Sequence, residues 1–90
     1  MAKLKIDKKI IASHLCYTDL VYSRINKKLN LNLNRKQIEK LILNIVSDTP
    51  VNSFKRRGKN IYVINDIAKV SITINSYTNR VITADRLTRL

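Results

Sequence analysis

The sequence predicts an α+β fold, with N-terminal helices packed on one face of a small three- to four-stranded antiparallel sheet. Apolar residues recur at helical spacing in 1–47 and alternate with polar residues in 51–90. A hydrophobic fraction of 44% in 90 residues is enough for one core, and a second core would not fit. We therefore expect a single domain, residues 1–90, with a helical half at 1–48 and a β-meander half at 51–86.

Three helices are expected in the helical half. The first, at 2–13, is short and rich in Lys. The second begins after Thr18, which suits a helix N-cap, with Asp19 in the positively polarised first turn. Asn34, followed three residues later by Gln, is typical of a capping box and predicts a third helix at 35–47. The residues expected to be buried are Leu20, Val21, Ile25 and Leu29 in the second helix and Ile38, Leu41, Ile42 and Ile45 in the third.

Strands are expected after Pro50, which disfavours the helical conformation in the residue before it. The expected strands are 51–57, 60–65, 69–75 and 80–85. Their connections are short, and Arg57-Gly58-Lys59 forms the first turn, so neighbouring strands pair antiparallel as a meander. The apolar face of this sheet has to be covered, and the helical half is the material available for it.

The chain is strongly basic, with 18 Lys and Arg against 6 Asp and Glu and a formal charge of +12. The cations are spread over 1–10, 24–40 and 55–59, which indicates a basic folded surface rather than a basic tail. Such a surface favours a polyanion, and nucleic acid is the first choice because binding neutralises phosphates and releases counterions. An anionic membrane surface or an acidic protein would satisfy the same charge.

Composition also excludes several classes of protein. The single cysteine, Cys16, rules out an internal disulfide and is typical of a reducing intracellular compartment. The apolar runs are far shorter than the roughly 20 residues of a membrane span, so we expect a cytoplasmic protein without a membrane partner. One Cys and one His fall short of a tetrahedral metal site, and scattered acids do not build a two-metal nuclease centre. We expect no metal and no cofactor.

The densest positive feature is the hairpin 55–59, which holds Lys55, Arg56, Arg57 and Lys59. Alternation places Lys55 and Arg57 on one face of the strand and Arg56 on the other. These groups are suited to phosphate contact, Arg by bidentate hydrogen bonds. The alternative is a charged turn that prevents edge-to-edge sheet association.

Other side chains also allow two interpretations. Tyr62 and Tyr77 lie in or beside strands, where an aromatic ring either stacks on a base or packs in an ordinary way. His14 is either a general base or a group that ends the first helix near its negative dipole end.

Three motifs carry a resemblance to known proteins. They are Thr18-Asp19-Leu20…Arg24-Ile25-Asn26-Lys27-Lys28-Leu29, Gly58-Lys59-Asn60-Ile61-Tyr62-Val63, and Ile72-Thr73-Ile74-Asn75…Val81-Ile82-Thr83-Ala84. Together they resemble a family of short uncharacterised bacterial proteins over 16–86. The ending also resembles the last hairpin of RelE/ParE-like toxins and the wider barnase–colicin ribonuclease group. The sequence departs from the bacterial family where Cys16 and Asp85 stand in place of histidines.

The resemblance implies a small RelE-like protein that acts on RNA, as a metal-independent endoribonuclease toxin with an acidic antitoxin as partner. In that interpretation Arg80, Arg86 and Lys59 are the catalytic cations, and Arg24 is a further phosphate contact beside Lys55, Arg56 and Arg57. Tyr62 or Tyr77 stacks on a base. The alternatives are a non-catalytic nucleic-acid-binding accessory protein and an interaction module for an acidic protein partner. RNA is favoured over DNA because cleavage without a metal uses the 2′-OH as nucleophile.

Overall fold

The computed structural model describes residues 6–87, in which three helices are followed by four strands. The helices are α1 (Lys8–Ser13), α2 (Asp19–Leu29) and α3 (Arg35–Asp48), and a 3-10 turn covers Val51–Ser53. The strands are β1 (Phe54–Arg57), β2 (Asn60–Asn65), β3 (Val70–Asn75) and β4 (Val81–Arg86). All neighbouring strands pair antiparallel in the order β1-β2-β3-β4. The predicted α+β class is confirmed.

Helix α1 begins later than predicted. The Asp7 carboxylate accepts hydrogen bonds from the N–H groups of Lys9 and Ile10, at 3.0 and 3.2 Å, and this cap starts the helix at Lys8. The predicted part before Ile6 lies outside the described residues. The Lys8 ammonium donates to the carbonyl oxygens of residues 47 and 49, at 2.9 Å each, which fixes α1 to the end of α3.

Helix α2 begins after Thr18, the predicted N-cap, although the Thr18 side chain makes no capping hydrogen bond, and it ends at Asn30 in the left-handed conformation with φ 56°. Its buried residues are Val21, Ile25 and Leu29. These residues are spaced four apart and form the stripe that faces the sheet. The predicted burial of Leu20 is wrong, since 75% of this residue is exposed. Successive side chains on a helix are rotated by about 100°, so Leu20, the neighbour of the buried Val21, points away from the core.

Helix α3 has the predicted capping box. The Asn34 side chain accepts from the Gln37 N–H at 2.8 Å, and the Gln37 side chain accepts from the Asn34 N–H at 2.9 Å. The buried residues of α3 are Ile38, Ile42, Ile45 and Val46, and Leu41 is half-buried rather than buried.

The first strand is shorter than predicted, because the residues after Pro50 form a 3-10 turn. In this turn the Ser53 N–H donates to the Pro50 carbonyl oxygen at 2.8 Å. Lys69 lies in a turn with φ 60° instead of opening β3. The pairing of β3 with β4 shifts between Thr73 and Ile74, which inserts one extra residue into β4.

The helices pack on one face of the sheet. The strand residues buried beneath them include Phe54, Ile61, Val63, Ile72, Ile74, Val81 and Ala84. We call the other side the open face, and it carries Lys55, Arg57, Asn60, Tyr62, Ile64, Ser71, Thr73, Asn75, Thr83 and Asp85. Within residues 6–87, no helix is long and apolar enough to cross a membrane.

Candidate nucleic-acid interface

A row of four side chains crosses the open face. Lys55 lies opposite Tyr62, Tyr62 opposite Thr73, and Thr73 opposite Thr83. Neighbouring strands are spaced about 4.8 Å apart, so the row spans about 14 Å. One line across the sheet therefore carries a cation, an aromatic ring and two threonines, in that order, and Thr73 is buried between its neighbours.

The β1 side of this row forms a shallow depression of about 480 Å³. Its lining residues are Lys55, Arg57, Tyr62, Ile64 and Ser71, which are cationic or uncharged. Lys55 and Arg57 are exposed, and Tyr62 is half-buried between them and the centre of the sheet. The depression therefore places two cations beside one aromatic ring.

Arg56 takes the opposite side of the hairpin from Lys55 and Arg57, so the predicted alternation is confirmed. Its Nε donates to the Gly58 carbonyl oxygen at 3.1 Å, and its guanidinium carbon lies 5.8 Å from the centre of the Tyr77 ring. Tyr77 is 73% exposed on the β3–β4 turn. The pair forms a second cation–aromatic contact, separate from the open face.

The β1–β2 and β3–β4 turns lie side by side at one end of the sheet, because the Ser76 N–H donates to the Lys59 carbonyl oxygen at 2.8 Å. We call this the basic end, and its cations are Arg56, Arg57, Lys59 and Arg80. Asp7 comes near it, but the Asp7 carboxylate caps α1. Asp66 and Asp85 lie at the opposite end of the sheet, where Lys69, Arg86 and Lys28 offset them, so the excess of positive charge is greater at the basic end.

Arg24 and Arg80 line a separate groove of about 380 Å³ between α2 and the start of β4. Arg24 also donates to the Ile82 carbonyl oxygen at 3.4 Å. This groove lies at the sheet edge rather than on the open face. Arg24 and Arg80 are therefore brought together, but away from Lys55 and Tyr62.

Arg86 lies at the other end of β4 and on the helix side of the sheet, opposite Val70. Its guanidinium donates to the Leu29 carbonyl oxygen at the end of α2. It lies six residues further along the chain than Arg80, which corresponds to about 20 Å of strand. The structure therefore does not bring together the two arginines expected to share a transition state.

His14 ends α1, and its Nδ1 lies 2.9 Å from the Ile10 carbonyl oxygen. This position corresponds to the helix-end interpretation of His14. Within the described part of the chain, no three His, Cys, Asp or Glu side chains come close enough to hold a metal ion.

One notable residue of the open face was missed by sequence reasoning. The Thr83 hydroxyl oxygen is buried and, within residues 6–87, has no hydrogen-bond partner. Buried hydroxyl groups are normally paired, so an unpaired one needs an explanation. Its position depends on the shift in β3–β4 pairing, and the sequence carries no signal for that shift.

Comparison with known proteins gives one match. The model of a family described as "Protein of unknown function (DUF3781)" matches residues 9–85, which is most of the chain. No curated protein and no solved structure matches the sequence.

Proposed function

The chain belongs to the DUF3781 family, and we propose that it binds RNA in the cytoplasm through the open face and the basic end of its sheet. The observation that carries the proposal is the depression in which Lys55 and Arg57 lie beside Tyr62. A basic surface with an aromatic platform is the arrangement by which proteins bind unpaired nucleic acid.

The charge of the whole molecule supports the same proposal. A formal charge of +12 on 90 residues is unfavourable through self-repulsion, and a bound polyanion relieves it. The cations of the basic end continue from Arg57 on β1 to Arg80 at the start of β4, so a phosphate backbone reaching this end meets positive charge across the width of the sheet.

Binding has more geometric support than cleavage. Lys59 and Arg80 lie at the basic end, whereas Arg86 is bonded to the end of α2. A metal-independent ribonuclease needs its cations around one phosphate, and this arrangement supplies fewer of them than the sequence predicts. We therefore propose RNA binding as the function.

The test compares two variants that lose the same charge. K55Q/R57Q removes the cations of the depression, and K36Q/K40Q removes two exposed cations from α3, on the helix side of the sheet. We expect K55Q/R57Q to bind a single-stranded RNA of about 12 nucleotides at least 10-fold more weakly than wild type. K36Q/K40Q should bind within about twofold of wild type, because exposed distant charges are screened.

Fluorescence anisotropy at fixed salt measures both affinities, and circular dichroism checks that the variants are folded. Equal losses in the two variants would contradict the proposal, since the charge would then act without regard to position. A loss confined to K36Q/K40Q would move the binding surface to the helical side. A DNA strand of the same sequence decides between RNA and DNA, and RNA is expected to bind more tightly.

A further inference from the structure

We propose that the open face takes the unpaired bases of a single RNA strand, with the phosphate backbone along β1 and the bases pointing across β2 toward β4. This inference rests on the proposed function and adds the form of the RNA and its orientation. Three features of the face support it: the distribution of charge, the position of Tyr62, and the Thr83 hydroxyl, which has no partner within residues 6–87.

Charge on the open face is uneven. Its cations, Lys55 and Arg57, stand on β1, at one edge. The carboxylate on this face, Asp85, stands on β4 at the other edge, 3.0 Å from the Lys28 ammonium. A phosphate backbone is attracted to the β1 edge, and Asp85 of β4, neutralised by Lys28 of α2, offers it no net attraction. The backbone therefore follows β1.

The middle of the face suits a base. Tyr62 follows Lys55 directly in the cross-strand row, about 4.8 Å further from the β1 edge. Base stacking on an aromatic ring tolerates any base, because every base has a π-face. Paired bases in a duplex are stacked on one another and do not offer that face to a protein surface. The Tyr62 platform therefore selects unpaired strands.

The far side of the row suits the polar edge of a base. Thr83 lies two strands beyond Tyr62, about 10 Å away, and its hydroxyl has no partner among the described residues. A base that extends over Thr73 brings donors and acceptors to this position. This oxygen is buried in the structure, so its pairing with a base requires rotation of the Thr83 side chain about χ1, which brings the hydroxyl to the surface of the open face.

The experiment uses the wild-type protein and three probes of about 12 nucleotides: a single strand, a duplex of the same sequence, and a single strand in which the central bases are removed but the sugars and phosphates remain. We expect loss of the bases to weaken binding roughly 5- to 150-fold, which corresponds to stacking of one base. The duplex should bind more weakly than the single strand.

Two variants locate the effect. Y62L should lose affinity for the intact strand by a similar factor and keep its affinity for the abasic strand, whereas Y62F should retain both because it keeps the ring. The wild-type comparison decides the matter even where Y62L does not fold. Equal affinity of wild type for intact and abasic strands would overturn this inference. The proposed function would still hold in that case if K55Q/R57Q binds RNA more weakly than wild type. Failure of wild type to bind any probe would overturn both.

Discussion

At the scale of single residues, Thr83 has a measurable energetic consequence. A buried hydroxyl without a partner is destabilising by about 1–3 kcal/mol, because it has lost its hydrogen bonds to water. Valine has nearly the same shape and no hydroxyl. A buried hydroxyl without a partner needs an explanation, and binding at the open face supplies one for Thr83.

We expect T83V to raise the free energy of unfolding by about 1 kcal/mol while it weakens RNA binding. The matched control is T49V. The Thr49 hydroxyl donates to the Ile45 carbonyl oxygen at 2.6 Å and accepts from the Asn65 amide at 3.0 Å, so its loss should destabilise the protein. Urea denaturation measures both. A T83V variant less stable than wild type would contradict the account of Thr83.

Arg86 and Arg80 differ in the contacts that their guanidinium groups make. Arg86 bonds to the carbonyl oxygen that ends α2, whereas Arg80 lines the exposed groove with Arg24. We expect R86A to lower the free energy of unfolding by about 1 kcal/mol and to leave RNA affinity unchanged. R80A should change stability by less than about 0.5 kcal/mol. An R86A variant with wild-type stability and reduced RNA binding or cleavage would return Arg86 to a functional role.

At the scale of elements, α2 and α3 are joined by a polar contact at their outer faces. The Tyr22 hydroxyl donates to the Glu39 carboxylate at 2.6 Å, and the Arg35 guanidinium lies over the Tyr22 ring at 4.7 Å. Desolvation and this hydrogen bond raise the pKa of Tyr22 to about 12. The folded state therefore favours the protonated phenol.

A pH dependence follows from that shift. The contribution of the protonated Tyr22 phenol is fully present below its ordinary pKa of 10.0, and it is lost as the pH rises toward about 12. We expect the free energy of unfolding to fall over that interval, and Y22F to fall less steeply. Urea denaturation at several pH values measures the difference between the two proteins. Parallel profiles for wild type and Y22F would show that another group controls the alkaline loss.

The elements also divide into those that local sequence determines and those that it does not. The capping box at Asn34 and the N-cap at Thr18 depend on neighbouring residues, and both were predicted. The faces of β4 depend on its pairing with β3. Simple alternation from the buried Val81 would turn Thr83 toward the core, but the extra residue in β4 reverses the faces beyond it. That reversal puts Arg86 on the helix side.

At the scale of the whole molecule, the sequence predicts the charge but not its arrangement. Alternation placed Lys55 and Arg57 on one strand face, and this short-range inference was correct. Tyr62 lies in the same depression as Lys55 and Arg57 because of the cross-strand register. Arg24 lies beside Arg80, away from that depression, because of where α2 packs. These are contacts between distant parts of the chain, which periodicity does not specify.

Polarisation along the strands is the property of the whole molecule that the proposed function uses. The basic end and the β1 edge carry cations, whereas at the opposite end Asp66 and Asp85 are offset by Lys69, Arg86 and Lys28. A polyanion is therefore oriented as it approaches, and it meets the basic end and the β1 edge in preference to the opposite end, where the charges offset one another.

The most direct test of RNA binding through the open face is the salt dependence of the affinity. Each phosphate neutralised on a single strand contributes about 0.7 to the slope of log K against log salt. We expect the slope of K55Q/R57Q to be smaller than that of wild type by about 1.4, and the slope of K36Q/K40Q to equal that of wild type. Identical slopes for all three proteins, or an affinity that does not change with salt, would contradict the account.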